Sequence, residues 1–346
     1  MHKKSTTDIV HTKYKKFERS IQMKKNSRVA EILGVEYPVL QAPMNWLTSA
    51  ELAAAVSNAG GFGILGPNAG QTTLTQDMQE TADRMRAEIR KTRSLTDKPF
   101  GAELIVTFQP NELSELLMQV YCEEDIKAVL FLNNEVPKEY VDRIHAAGKI
   151  AIHKAIFSDR KTIAEAEAKG FDIIVIGSSD AGGHMNPVNY GTLTAVRSAR
   201  EVTSLPLVAA GGIVDGLSVR IAGMLGAEGV YCGTRFVACT ESPVHETMKK
   251  LYVDTTSDQL VQICGMFGPL RSVHTPVVDK CLEMMKNISD PMTPMYITGT
   301  YSGGYKTAML DGDLNSGLLD CGGAIDQIKS ILSAKEIMEE FATGME

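Results

Sequence analysis

From about residue 28 onward, short apolar runs rich in β-branched residues alternate with longer segments whose apolar positions recur at helical spacing. The runs fall at 39–42, 63–65, 101–106, 128–132, 150–153, 173–176, 207–210 and 229–232. Within them apolar residues follow one another instead of alternating with polar ones, the pattern of strands covered on both faces or enclosed in a barrel. The amphipathic segments between them predict helices, so the chain reads as eight successive βα units on a parallel sheet.

Several helix ends are legible. Thr48-x-x-Glu51 predicts a capping box for the Ala-rich helix that stops at Gly60. Asp215 occupies an N-cap position ahead of Val219, Ile221, Ala222 and Leu225, and Gly148, Gly170 and Gly226 stand where helices close just before strands. This punctuation predicts a (β/α)8 TIM barrel, although an open doubly wound sheet shares most of it. The barrel is expected over residues 23–240, with 1–22 as a flexible basic extension. Over 241–310 the rhythm breaks at Gly265, Gly268, Pro269, Pro276, Pro291 and Pro294. An insertion or lid segment is therefore expected after strand eight. The C-terminal segment 311–346 is expected to pack on the barrel, with a helix over 324–341.

The length of 346 residues fits about two domains of 150 residues, or one α/β barrel with insertions. With 44 % hydrophobic and 22 % charged residues the chain is not disordered, collagen-like or coiled-coil. Its net charge of −7, from 35 bases and 42 acids, argues against a nucleic-acid partner, which requires a basic stripe. The charge is unevenly placed: residues 1–28 hold nine bases and two acids, net +7, leaving −14 on the remainder. No apolar run approaches the roughly 18 residues of a membrane span, and the basic tail lacks a signal-peptide core, so a cytoplasmic protein without membrane association is expected. Cys122, Cys232, Cys239, Cys264, Cys281 and Cys321 are scattered without a Cys-x-x-Cys pair, and neither a metal site nor a disulfide framework is expected.

Gly61-Phe62-Gly63-Ile64-Leu65-Gly66 matches the dinucleotide fingerprint Gly-x-Gly-x-x-Gly, but it follows a helix and contains a strand, the reverse of the order that fingerprint needs. Helix closure and tight backbone packing account for it better. Gly211-Gly212 follows strand seven and Gly233-Thr234 follows strand eight. In a barrel these two loops form the usual phosphate cradle, where glycines let backbone N–H groups approach an anion; ordinary βα turns needing positive φ are the alternative. Gly182-Gly183-His184 follows strand six, at the active-site end of a barrel, where an imidazole with an ordinary pKa near 6.5 can exchange protons at neutral pH. Among seven histidines, His2 and His11 lie in the tail and His145, His245 and His274 on presumed surface or inserted segments. His153, ending strand five, is the one rival to His184 as a catalytic residue. Gln41-Ala42-Pro43-Met44 ends strand one, and its proline shapes a rigid rim.

Taken together, Gln41-Ala42-Pro43-Met44, the segment from Asp180 to His184, Ala209-Ala210-Gly211-Gly212-Ile213 and Gly233-Thr234-Arg235-Phe236 resemble the nitronate monooxygenase family, once called 2-nitropropane dioxygenases. The match runs in order over about residues 28–240, and Leu310-Asp311-Gly312-Asp313 with the glycine-rich stretch 317–323 looks like the family's closing segment. FMN-dependent enoyl-(acyl-carrier-protein) reductases share these motifs. The resemblance implies FMN with its phosphate on Gly211, Gly212, Gly233 and Thr234, its ring against Ala42, Pro43 and Met44, and Gly182 and Gly183 beside that ring. His184 is implied as the base that removes the proton α to a nitro group, after which oxidised flavin accepts an electron from the nitronate and dioxygen completes the reaction. Three positions around the implied ring depart from the family pattern: Gly177-Ser178 replaces Gln-Gly, Met185-Asn186 follows the histidine, and Glu103 stands where Asn is common. A carboxylate at 103 opposes an electron-rich reduced flavin unless it is paired or protonated.

Four activities fit these readings. The first is nitronate oxidation with dioxygen. The second is reduction of an enoyl thioester, with NAD(P)H as electron donor and FMN passing hydride to the β-carbon. The third is flavin or phosphate binding without turnover, and the fourth a flavin-free, phosphate-using isomerase or lyase on the same barrel. The expected partner is a small-molecule substrate, a nitronate or an enoyl thioester, and a homodimer stays open.

Overall fold

The structure, a computed structural model, describes residues 23–106, 111–156, 158–185, 188–265, 268–286 and 292–345. The expected extension over 1–22 lies outside the described residues. Eight parallel strands, β1 (Val39–Gln41), β2 (Gly63–Leu65), β3 (Phe100–Ile105), β4 (Ala128–Leu132), β5 (Ile150–Lys154), β6 (Ile173–Gly177), β7 (Leu207–Ala210) and β8 (Gly229–Cys232), pair in the order β1-β8-β7-β6-β5-β4-β3-β2. The Phe62 N–H donates to the Val39 carbonyl at 2.8 Å and the Gln41 N–H to the Phe62 carbonyl at 3.0 Å, bridging β1 to the start of β2. The Gln41 side chain, fully buried, reinforces the seam by accepting from the Ile64 N–H at 3.1 Å. The ring thus joined, with helices between the strands, is the (β/α)8 barrel that the eight runs predict.

Continuous apolar runs conceal an inward-outward alternation that decides which side chains reach the site. Leu40, Ile64, Leu130, Ile152, Val175 and Val208 pack together inside the barrel, whereas Ala102, Leu104, Val129, Phe131 and Ala151 pack outward beneath the helices. On β3 this turns Glu103 inward. On β5, where Ile152 faces in, His153 must face out and Lys154 in.

The helix Ala50–Asn58 is capped by Ser49, whose side chain accepts from the Leu52 N–H, and not by Thr48 as the spacing predicts. Thr48 is engaged one residue earlier: its hydroxyl accepts from the Met44 N–H and donates to the Met44 carbonyl, both at 2.9 Å, folding the rim after β1. Gly63 lies flush against that helix, since a Cβ there would stand 2.2 Å from the Ala53 carbonyl oxygen. Close helix–strand packing therefore accounts for the Gly-x-Gly-x-x-Gly match. Asp215 caps the helix Gly216–Met224 in a capping box with Ser218, as predicted.

The predicted terminal helix is shorter than its sequence span. A single 3-10 turn, Ile325–Gln327, is followed by an extended stretch bridged to Cys239 through Leu332, and the helix Ala334–Ala342 starts afresh from a Ser333–Glu336 capping box. The Arg235 guanidinium donates to the Ser330 carbonyl at 3.0 Å, holding that stretch out of helical geometry.

After β8 come the helix Glu246–Asp254, strands Leu260–Ile263 and Leu270–Val273, and helices Pro276–Met285, Thr293–Ser302 and Tyr305–Asp311. The two strands join a short strand, Gly183–His184, in an antiparallel sheet at the barrel mouth.

Candidate active site

At the C-terminal ends of the barrel strands lies a cavity of about 550 Å³, well within the roughly 300–1,000 Å³ of ligand pockets. All eleven residues singled out from the sequence line it: Ala42, Pro43 and Met44 after β1, Glu103 on β3, Gly182, Gly183 and His184 after β6, Gly211 and Gly212 after β7, and Gly233 and Thr234 after β8. They converge because parallel strands of one barrel deliver all their following loops to the same rim.

The glycine wall is built from backbone. Gly211 sits at φ +114°, and a Cβ there would stand 2.2 Å from Ser178 Oγ and 2.8 Å from the Ala181 nitrogen. Around it, the Ser178 hydroxyl donates to the Ala210 carbonyl at 3.0 Å, and Asp180 accepts from the Thr192 N–H at 2.7 Å and from its hydroxyl at 2.9 Å. The segment carrying Gly322 crosses this wall: its N–H donates to Thr234 Oγ1 at 2.9 Å, and the Gly323 N–H donates to the Asp180 carbonyl at 3.0 Å. Backbone in left-handed turns, with no side chain to block approach, is the surface a bound phosphate requires.

His184 is positioned by the small sheet, opposite Leu270, while Gly183 pairs with Arg271. The Arg271 guanidinium donates to the Ser179 and Ala181 carbonyls at 2.8 and 3.2 Å, tying the loop down. Burial lowers the His184 pKa to about 4, with the Lys154 cation acting in the same direction. The imidazole is therefore neutral at pH 7 and able to accept a proton. The rival His153 faces away from the cavity, 2 % exposed, with its ring 4.8 Å from that of Phe171. Its Nε2 donates to the Asn133 carbonyl at 2.9 Å, and burial lowers its pKa to about 4 as well. It is a packed core histidine.

The inward face of β5 supplies the cavity group that the sequence reading missed. Lys154 and Glu103 interact inside the barrel mouth, with the Lys154 ammonium 5.9 Å from the centre of the Tyr231 ring. Burial raises the Glu103 carboxyl, Lys154 opposes that rise, and burial lowers the Lys154 ammonium. The carboxyl that stands where the family favours Asn is thus held toward its neutral form by burial, with Lys154 acting against that. Counting outward from Ile152 in steps of two would have found Lys154. Asp320 and Tyr305, both lining the cavity, come from far along the chain and leave no local signal.

The profile of the nitronate monooxygenase family matches residues 26–344. The chain belongs to that family. It is an enzyme, an oxidoreductase, and the flavoenzyme character of its relatives supports a flavin cofactor. It is similar to an octahydroindene-carboxyl-CoA dehydrogenase of Mycobacterium tuberculosis, 31 % identical over 75 % of this chain and 69 % of that protein. It is also similar to a nitronate monooxygenase of Pseudomonas aeruginosa, 33 % identical over 64 % of this chain and 72 % of that one. The solved structure of FabK from Thermotoga maritima superposes with a TM-score of 0.81 at 31 % identity, covering 92 % of this chain and 96 % of FabK. No helix among the described residues is long and apolar enough to cross a membrane, and no cluster of His, Cys, Asp and Glu among them could hold a metal ion.

Proposed function

We propose that this chain oxidises nitronates, and nitroalkanes by way of their nitronates, using FMN and dioxygen with His184 as the general base. The observation that carries the reading is that His184 and the two glycine loops of the phosphate cradle line one cavity. Gly211, Gly212, Gly233 and Thr234 would hold the FMN phosphate, and Ala42, Pro43 and Met44 would form a wall beside its ring. Bound FMN supplies the electron acceptor that no amino-acid side chain provides. The chain's own groups supply the rest. Neutral His184 takes the proton from the carbon α to the nitro group. Lys154, which acts electrostatically on His184, favours an anion in the same space. The tie between Arg271 and the Ser179 and Ala181 carbonyls holds the loop that carries His184 in the cavity wall.

A second reading, reduction of an enoyl thioester at its α,β double bond with NAD(P)H as electron donor, or the reverse desaturation of an acyl thioester with flavin as electron acceptor, is favoured by the likeness to a carboxyl-CoA dehydrogenase. A thioester carbonyl also acidifies its α-carbon, so the same base serves. Anaerobic mixing of the FMN-loaded protein with propyl nitronate, with NADH or NADPH, and with a saturated acyl-CoA separates the readings. Flavin bleaching by the nitronate alone supports the first, and bleaching only by a pyridine nucleotide or acyl-CoA replaces it with the second.

A further inference from the structure

One carboxyl in the cavity has no role in the chemistry above. Asp320 lines the pocket, and its Oδ1 is buried with no hydrogen-bond partner among the described residues. Buried carboxyl oxygens are nearly always satisfied, and an unsatisfied one in a residue that lines a cavity points to a partner that arrives with a ligand.

The small sheet sets its position. One edge of strand Leu270–Val273 pairs with strand Leu260–Ile263. On the other edge Leu270 faces His184 and, two residues along, Ser272 faces Asp320. The register is held by the Val273 N–H donating to the Leu319 carbonyl at 3.0 Å and the Cys321 N–H to the Arg271 carbonyl at 3.1 Å. Directly opposed residues of an antiparallel pair share a face, and so do residues two apart on one strand. His184 and Asp320 therefore project from the same face of the same edge, with Cα atoms roughly 7 Å apart along the strand direction.

We propose that Asp320 is a second catalytic residue, donating a hydrogen bond from its protonated carboxyl to the substrate oxygen that gains charge while His184 takes the proton from the neighbouring carbon. The C–H bond breaks, its proton passes to the imidazole, and its electron pair moves onto a nitro or thioester oxygen. Asp320 keeps its own proton and shares it with that oxygen. The inference rests on the base role of His184 proposed above, and it identifies the substrate class as carbon acids whose acidifying group presents an oxygen beside the reacting carbon.

The surroundings of Asp320 suit a neutral carboxyl. Burial raises its pKa to about 7. The groups facing it are Tyr252, whose hydroxyl donates to the Asp320 carbonyl at 2.7 Å, Tyr305, Cys321 and, beyond Cys321, Arg271, whose guanidinium is held by loop carbonyls. Burial raises both tyrosines well above their ordinary range and Cys321 to about 12, so within this group Asp320 alone changes charge near neutrality.

Asp320→Asn, which keeps a donor, and Asp320→Ala, which removes it, test the assignment in the FMN-loaded protein. Anaerobic flavin reduction by nitroethane is expected to slow about 10²-fold in Asp320→Ala and less than about tenfold in Asp320→Asn, the scale of losing one oxyanion donor. FMN absorbance and affinity should stay unchanged in both. Infrared difference spectra recorded across about pH 6 to 8 in the Glu103→Gln background, which removes the other buried carboxyl raised into this range, should show a protonated-carboxyl band that grows as pH falls and is missing once Asp320→Asn is added. Equal reduction rates in wild type and Asp320→Ala, or no such band in the Glu103→Gln background, overturn the role of Asp320 and leave the base reading intact. Failure of nitroethane, nitronate and acyl-CoA alike to reduce the wild-type flavin overturns the base reading and takes this proposal with it.

Discussion

Lys154→Met isolates the electrostatic influence of Lys154 on Glu103 at the barrel mouth, because methionine keeps the apolar stem and removes only the charge. Glu103 is 6 % exposed, and burial already holds its carboxyl above the ordinary value of 4.5 while Lys154 opposes the rise. Without the ammonium, the carboxyl holds its proton to still higher pH. The cost at pH 7 is then capped by the free energy of protonating a group of ordinary pKa 4.5, about 3.4 kcal/mol at 1.36 kcal/mol per pH unit. Burial already raises the wild-type carboxyl to about 8, so nearly all of this cost is present at pH 7 and the loss on removing Lys154 is expected to develop only above about pH 8. The sign with pH follows from the raised folded pKa. The folded state binds the extra proton, so stability is greatest below about pH 4.5 and falls as pH rises, by up to about 1.4 kcal/mol per unit until the folded pKa is passed. Removing Lys154 carries that decline to higher pH. Urea unfolding followed by circular dichroism between about pH 6 and pH 10, with and without FMN, measures it. Glu103→Gln in the same chain should restore most of the loss at the alkaline end, a coupling of about 1 kcal/mol or more. A Lys154→Met variant whose deficit is the same at both ends of the pH range refutes a charge-based role for the pair.

His184→Ala should slow flavin reduction by a neutral nitroalkane by about 10²–10⁴-fold while leaving reduction by a preformed nitronate far less affected, as anaerobic stopped-flow with both substrates will reveal. Because burial and Lys154 set the imidazole near 4, the acid limb of the wild-type rate with nitroalkane should lie near pH 4; an acid limb centred on 6.5 contradicts the assigned environment. Gly211→Ala combines a left-handed φ with a contact of 2.2 Å to Ser178 Oγ, which should cost about 2–4 kcal/mol of stability or FMN binding by titration. Arg271→Ala frees the Ser179 and Ala181 carbonyls and should lower the reduction rate more than FMN affinity, a split visible when both are measured on one preparation.

Much of the architecture was written locally. Eight apolar runs, several of them preceded by a helix-closing glycine, specify eight strands buried on both faces, and a barrel is the arrangement that covers all of them. The loops after those strands then meet at one rim whatever their distance in sequence, which is why eleven residues chosen from separate motifs line one cavity. Helix ends were less secure. Thr48 and Ser49 are both competent caps, and only the folding of the rim onto Met44 decides between them.

What the linear pattern left open depends on orientation and long-range pairing. A continuous apolar run carries no mark of which alternate residue faces in, so His153 and Lys154 exchange significance only when the strand is set into the ring. Asp320 acquires a place beside His184 through the edge of a strand some fifty residues away from it. Hydrophobic burial settled the barrel and its rim, because covering apolar surface is a demand each segment makes by itself. Pairing of charges and of strand edges needs two distant segments in register, and only the folded chain brings them together.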